Sequence, residues 1–143
     1  SELKIDPNLV VTDPSLALSG GAIVPWSRTS APYYRQTLQA LCKKFDASMD
    51  VPWRKLSKQV REAILYGTGK TSIDFVYDDG LRSYKTEKPF EGVIPNMERR
   101  WRETESDWIR DELGRYQAVR ACDACGGFRL KPEASGSNQK RWR

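Results

Sequence analysis

Between Ser72 and Lys85 the chain alternates apolar and polar side chains and then reverses direction. Ile73, Phe75 and Tyr77 fall on one side of an extended segment and Asp74 and Val76 on the other, the period of two that marks a half-buried strand. Asp79-Gly80 follows, a pair suited to a tight hairpin turn, and Leu81 to Lys85 reads as the returning strand. In regular pairing Arg82 and Tyr84 share one face of that strand, Ser83 and Lys85 the other. A hairpin at 72–86 must be packed by what surrounds it, and the surroundings read as helices.

Tyr34, Leu38, Leu41 and Phe45 recur at helical spacing, with Ser30 and Pro32 as a start signal, and predict a helix over 33–45. Leu56, Val60 and Ile64 form a second stripe, capped by Ser57 and stopped at Gly67, which predicts 57–66. Lys88 to Pro95 reads as a stiff loop: Pro89 restricts Lys88, Gly92 supplies positive φ, and Pro95 suits the first turn of a helix over 96–103. Thr104 with Asp107 resembles a capping box ahead of Ile109, Leu113 and Tyr116, giving a helix over 107–117. Residues 1–26 carry Asp-Pro twice and Gly-Gly once and read as short extended pieces and tight turns. Their Leu9, Val10, Leu16, Leu18, Ile23, Val24 and Trp26 mark them as packed. The class is α+β, several short helices with a small antiparallel hairpin in a single domain, and 143 residues suffice for one core.

The formal charge is +5, divided as +3 over residues 1–60 and +2 over residues 61–143, so a partner for the second half must be argued from local placement. Arg82, Lys85 and Lys88 precede the Phe90 loop and Arg99, Arg100 and Arg102 surround Trp101, six cations within 21 positions. Guanidinium groups donate paired hydrogen bonds to phosphate oxygens and aromatic rings stack on bases, so the cluster suits a nucleic-acid backbone. The spacing also permits a solvated, self-paired helix, with Glu98 to Arg102 and Arg99 to Glu103 at i,i+4. Phe90 reads as a plug that seats its loop in the core rather than as a base-stacking ring, and Trp101 likewise. Arg110, Arg115 and Arg120 are weaker candidates, since Asp107, Asp111 and Glu112 lie close by in sequence.

Two apparent chemical motifs fall short. Tyr66-Gly67-Thr68-Gly69-Lys70-Thr71 resembles the tail of a phosphate-cradling loop, but Ile64 stands where that motif requires glycine, and a helix precedes it instead of a strand. Cys122 and Cys125 are half of a zinc knuckle; tetrahedral zinc takes four ligands, histidine is absent, and Cys42 falls inside a predicted helix as a half-buried filler. No catalytic residue and no cofactor in this chain is therefore expected. No apolar run reaches membrane-span length and no secretory pattern opens the sequence, so no membrane contact and a cytoplasmic location are the expectations. The start at Ser1 without Met is consistent with an excised fragment or a trimmed tag.

The run YDDGLRSYKTEKPFEGVIPNMERRWRETES, with LYGTGK before it and CDACGGFRLKPEA after it, resembles the insertion region of the UvrA family of bacterial nucleotide-excision-repair proteins. The resemblance extends from Ile5 to about Ala134. It implies a non-catalytic DNA-binding domain, 1–134, inserted in an ABC-type ATPase that scans duplex DNA as a dimer, finds damaged DNA and loads UvrB. ATP and zinc would belong to the parent, whose nucleotide-binding motifs are not in this chain. Residues 122–134 would re-enter the ATPase body, carrying one CxxC pair whose partners lie elsewhere. Residues 135–143 open with Ser-Gly-Ser and read as an appended linker or tail. The expected DNA contacts are Arg82, Lys85, Lys88, Arg99, Arg100 and Arg102, reading backbone position and deformability instead of base identity. The alternative is a docking module for UvrB or a second UvrA protomer, anchored by Phe90, Trp101 and Trp108.

Overall fold

The computed structural model describes residues 3–118, and among them six helices and one two-stranded antiparallel hairpin form an α+β domain. The N-terminal stretch departs from the extended reading. Asp6 accepts the Asn8 amide at 2.9 Å and Pro7 occupies the first helical position, so Asp-Pro here starts a helix, α1 (Pro7–Val10). A 3-10 turn at Leu18–Gly20 and α2 (Val24–Ser27), with Pro25 in its first turn, follow. Val10, Leu18, Ile23 and Trp26 are buried, as their apolar character requires, whereas Leu16 remains exposed.

The longest helix, α3 (Pro32–Lys44), begins at Pro32 with Ala31, not Ser30, at the N-cap. Leu38, Leu41 and Cys42 face the core with Thr37, while Tyr34 and Phe45 sit at its margin. Burial pushes the Cys42 thiol up to about 11, so it is inert filler. After a 3-10 turn at Trp53–Lys55, Ser57 caps α4 (Lys58–Tyr66) by accepting the Val60 amide at 3.2 Å. Val60, Ala63 and Ile64 form the buried face of α4.

Strand β1 (Ser72–Asp78) pairs with β2 (Ser83–Pro89), Ser72 opposite Pro89 and Asp78 opposite Ser83. The returning strand is thus displaced from the expected 81–85. A four-residue connection, Asp79 to Arg82, replaces the two-residue turn, and Lys88 and Pro89 belong to the strand, not to a loop. The physical cause is Asp79: its carboxylate accepts the amides of Leu81 at 2.9 Å and Arg82 at 2.7 Å, closing a wider turn than Asp-Gly alone would. Ile73 and Phe75 are buried on one face of β1 while Asp74 and Val76 are exposed on the other. Almost all of β2 lies in solvent.

The next helix, α5 (Val93–Glu103), starts three residues before the expected 96, because Gly92 serves as its N-cap and Pro95 fits within its first turn. Ser106, not Thr104, caps α6 (Asp107–Gly114), accepting the Ile109 amide at 3.3 Å. Tyr116 is buried although the helix ends before it.

Two glycines fix where α5 begins. Gly67 and Gly92 have φ of 105° and 102°, and their backbones cross so closely that a side chain at either would collide. A Cβ on Gly67 would stand 2.6 Å from the Glu91 carbonyl oxygen, and one on Gly92 2.5 Å from the Tyr66 carbonyl carbon. Thr68 fastens the crossing: its amide donates to the Phe90 carbonyl and its hydroxyl accepts the Phe90 amide, both at 2.9 Å. The stretch that resembled a phosphate loop is therefore a structural seat for residues 90–92.

Candidate functional site

The hairpin is held at its root and along one side, and its turn projects. Its root is buried through Ile73 and Phe75, and the end of β1 is clipped to α3 by a single amide. Gln36 donates from Nε2 to the Asp78 carbonyl at 2.8 Å and accepts the Asp78 amide on Oε1 at 3.1 Å, pairing with the strand as another strand would. Tyr77 adds a hydroxyl hydrogen bond with Thr37 at 2.9 Å. Tyr77 also stacks on Tyr33, ring centres 4.8 Å apart, and burial pushes its phenol up to about 12. Beyond this clip, Asp78 accepts the Gly80 amide at 2.8 Å and Asp79 holds Leu81 and Arg82, so the turn is ordered by its own side chains. Those amide hydrogen bonds keep the Asp79 carboxyl below the usual carboxylate range.

Three expected cations lie on or beside this hairpin, but not on one face. Arg82 sits in the turn, not in the strand with Tyr84. Residues opposed across the pair share a face, so Lys85 stands with Val76 on the outer face, while Tyr84 and Lys88 stand on the face of Tyr77 and Ile73. Among the described residues, the carboxylate ion pairs involve only Arg99 and Arg115, so Arg82, Lys85 and Lys88 project without such partners. Tyr84 beside them is 63% exposed and Leu81, at the apex of the turn, 94%.

The second expected trio diverges around α5. At about 100° per residue, Arg99 and Arg102 lie on the outer side, while Arg100 turns back toward the side of Val93. Arg100 is half-buried and Arg102 exposed. Arg99 is engaged by carboxylates within the chain. Its Nε and Nη2 donate to the two oxygens of Glu91 at 2.9 and 2.8 Å, and its Nη1 donates to Glu103 at 2.9 Å. Glu98 does not pair with Arg102 but accepts the Ile5 amide at 3.2 Å. The self-paired alternative thus describes Arg99 and Glu103, not the rest of the trio.

Glu91 links the hairpin root to α5. Hydrogen bonds from Arg99 chiefly, with Asn96 and the nearby charge of Lys88 also acting, hold its carboxyl below its ordinary value of 4.5. The unfolded chain therefore takes up this proton first as pH falls. The stabilisation is complete above about 4.5 and disappears as pH drops through the lower folded value. Both side chains are partly solvated, so the contribution expected is about 1 kcal/mol. Urea midpoints between pH 7 and 3 should fall less steeply for Glu91→Gln than for the unchanged protein.

Phe90 is 8% exposed and meets Trp26 and Phe75, so it is the core plug expected of it. Trp101 packs at the core margin with the Arg110 guanidinium 4.9 Å from its ring centre, and Arg110 also donates to the Thr104 carbonyl. Arg115 pairs with Glu112 at 3.2 Å. Trp108 alone of the three proposed anchors is strongly exposed, at 71%. Cys122, Cys125 and Arg120 lie outside the described residues. Among the described residues no group of three metal-ligating side chains gathers, and no helix is long and apolar enough to cross a membrane.

Sequence reasoning missed two contributors. Lys43 and Lys44, at the end of α3, line a groove with Gln36, Gln39, Asp74 and Val76, on the same outer face as Lys85. Tyr33 is brought against the hairpin from a distant part of the chain. The paired lysines were visible in sequence, but their place beside β1 depends on how α3 packs.

A profile of the UvrA DNA-binding domain matches residues 6–115. The UvrABC system protein A of Brucella abortus (strain 2308) is 58% identical over 134 residues, covering 94% of this chain and 14% of that protein. Those of Mesorhizobium japonicum and Agrobacterium fabrum are each 53% identical over 134 residues, with the same shares. The chain thus spans about one seventh of the length of these relatives. The crystal structure of UvrA2 from Deinococcus radiodurans shares the fold, with a TM-score of 0.62 at 22% identity, covering 92% of this chain and 17% of that one.

Proposed function

We propose, from the premise that this chain belongs to the UvrA DNA-binding domain family, that it grips the backbone of duplex DNA through its hairpin. The observation that supports this most is the set of cations Arg82, Lys85 and Lys88 on a projecting hairpin, none held by a carboxylate, with Tyr84 beside them. Such a surface gains affinity by displacing counterions from phosphates and carries no base code, which suits a protein that must meet any sequence. The lysine pair at 43 and 44, on the outer face with Lys85, extends the positive surface, and Arg102 is an exposed cation on α5. Arg100, half-buried, and Arg99, committed to Glu91 and Glu103, contribute by position more than by direct contact.

For the longer protein from which such a domain comes, the proposal is damage recognition in nucleotide excision repair in the cytoplasm. There the domain would serve an ATP-driven UvrA dimer that engages UvrB, with Cys122 and Cys125 as half of a zinc site completed elsewhere. The docking alternative is the weaker reading, because Phe90 is consumed by the core and Trp101 is half covered.

A salt series on a short fluorescent duplex tests the interface. Arg82→Ala combined with Lys85→Ala is expected to weaken binding about tenfold and to reduce the slope of log affinity against log salt by about 1.8, at roughly 0.9 per phosphate lost. Arg99→Ala should leave that slope unchanged. An unaltered slope in the double variant would remove the hairpin from the interface.

A further inference from the structure

Between the turn of the hairpin and the start of α3 lies an open groove of about 470 Å³, bounded by Tyr33, Tyr77, Tyr84, Arg82, Asp78 and Asp79. Its aromatic wall is the outer end of a three-ring stack. Phe75, buried, lies parallel to Tyr77 at 5.9 Å and 9°, and Tyr77 lies against Tyr33 at 4.8 Å and 15°. The stack therefore runs from the core to the surface and ends on Tyr33, which is 45% exposed, with Tyr84 more exposed still on the opposing strand. A further flat ring arriving there extends an ordered stack at little cost in side-chain freedom, because Tyr77 is already fixed by Thr37 and the hairpin by Gln36.

The charges of the groove select what that ring is. Asp79 borders the groove, and its Oδ2, not engaged by the Leu81 and Arg82 amides that bond to Oδ1, can accept a hydrogen bond from the amino edge of a base while its negative charge disfavours a phosphate there. Arg82 is the cation of the rim and Lys85 stands outside on the other face, where a backbone would run. Leu81, apolar and almost wholly in water at the apex, is placed as the wedge that enters a loosened base step.

We infer that this tyrosine groove is a subsite for one unstacked nucleobase, filled when the hairpin turn meets a duplex whose pairing is already disturbed. The inference rests on the backbone-binding reading above and adds a means of telling distorted from regular DNA. Unpairing a base costs least where pairing is already broken, so a subsite of this kind rewards distortion without reading sequence.

The test uses the full 143-residue chain and two duplexes carrying 2-aminopurine, one fully paired and one with the probe inside a bubble of three mismatches. The unchanged protein should bind the bubble more tightly and change the probe's emission on binding. Tyr84→Ala and Tyr33→Ala should each weaken bubble binding about tenfold more than they weaken paired-duplex binding, and abolish the emission change. Tyr33→Phe, which keeps the ring, should retain all three properties. If Tyr84→Ala, whose side chain is largely in solvent, binds the bubble as the unchanged protein does while paired-duplex binding persists, the subsite is overturned and the backbone reading stands. Failure of the unchanged chain to bind either duplex at low salt overturns both. Tyrosine variants with unaltered bubble binding would also leave a protein segment as the occupant of the groove.

Discussion

Alanine at Gly67 or at Gly92 is expected to destabilise the domain by about 4 kcal/mol, the largest effect of any single methyl group added to it. Two costs coincide. Each position has a φ near +100°, where an L side chain costs about 1–3 kcal/mol. Each new Cβ would also fall within 3 Å of main-chain atoms of the other loop, where overpacking costs a similar amount and neither loop is free to withdraw. Thr68 ties both strands of the crossing together, so relief by local movement breaks two hydrogen bonds. Urea unfolding followed by far-UV circular dichroism measures the effect. A loss below about 1 kcal/mol at both sites would show that the crossing relaxes and does not fix the start of α5.

Phe90→Ala comes next, at about 3–5 kcal/mol, the range for deleting a buried phenyl ring. The ring fills the space between Trp26 of α2 and Phe75 of β1, so its loss opens a void between the N-terminal segment and the hairpin root. The same variant separates the plug from a base-stacking role. At a temperature where it remains folded, its DNA affinity and salt slope should match those of the unchanged protein. A stable Phe90→Ala domain with weakened DNA binding would reverse the assignment.

These expectations show how the legible and illegible parts of the sequence divide. The helices over Pro32–Lys44 and Lys58–Tyr66 were readable because their apolar stripes, and for the second the Ser57 cap, are local signals, complete within a dozen residues. The first strand was readable for the same reason. The return strand slipped because the side chain of Asp79, not the Asp-Gly pair by itself, decides the width of the turn. The N-terminal turns became helical because Asp-Pro and buried neighbours favour capped single turns as readily as extended pieces, and only the surrounding core decides.

The site followed a similar rule. That cations cluster near the hairpin was plain in the sequence; which of them are free was not. Glu91 lies eight residues from Arg99, beyond helical spacing, and reaches it only because the Gly67–Gly92 crossing turns the chain sharply there. Tyr33 and Lys43 are invisible as partners of the hairpin until α3 is laid along β1, since nothing local connects residues so far apart in the chain. Long-range placement, not residue chemistry, was the missing information.

The solvent-exposed strand β2 has an implication beyond ligand contact. Its far side pairs with no other strand among the described residues, so a row of backbone donors and acceptors is left facing water. Such a row invites an identical strand from another molecule, and a hairpin that must protrude cannot hide it under a helix. Lys85 and Lys88, with Pro89 closing the row, make that approach unfavourable through like charge, side-chain hydration and a missing amide. The lysines proposed to hold DNA therefore also keep separate copies of the domain from joining edge to edge into aggregates, and a sequence drifting toward apolar residues there would lose solubility along with grip.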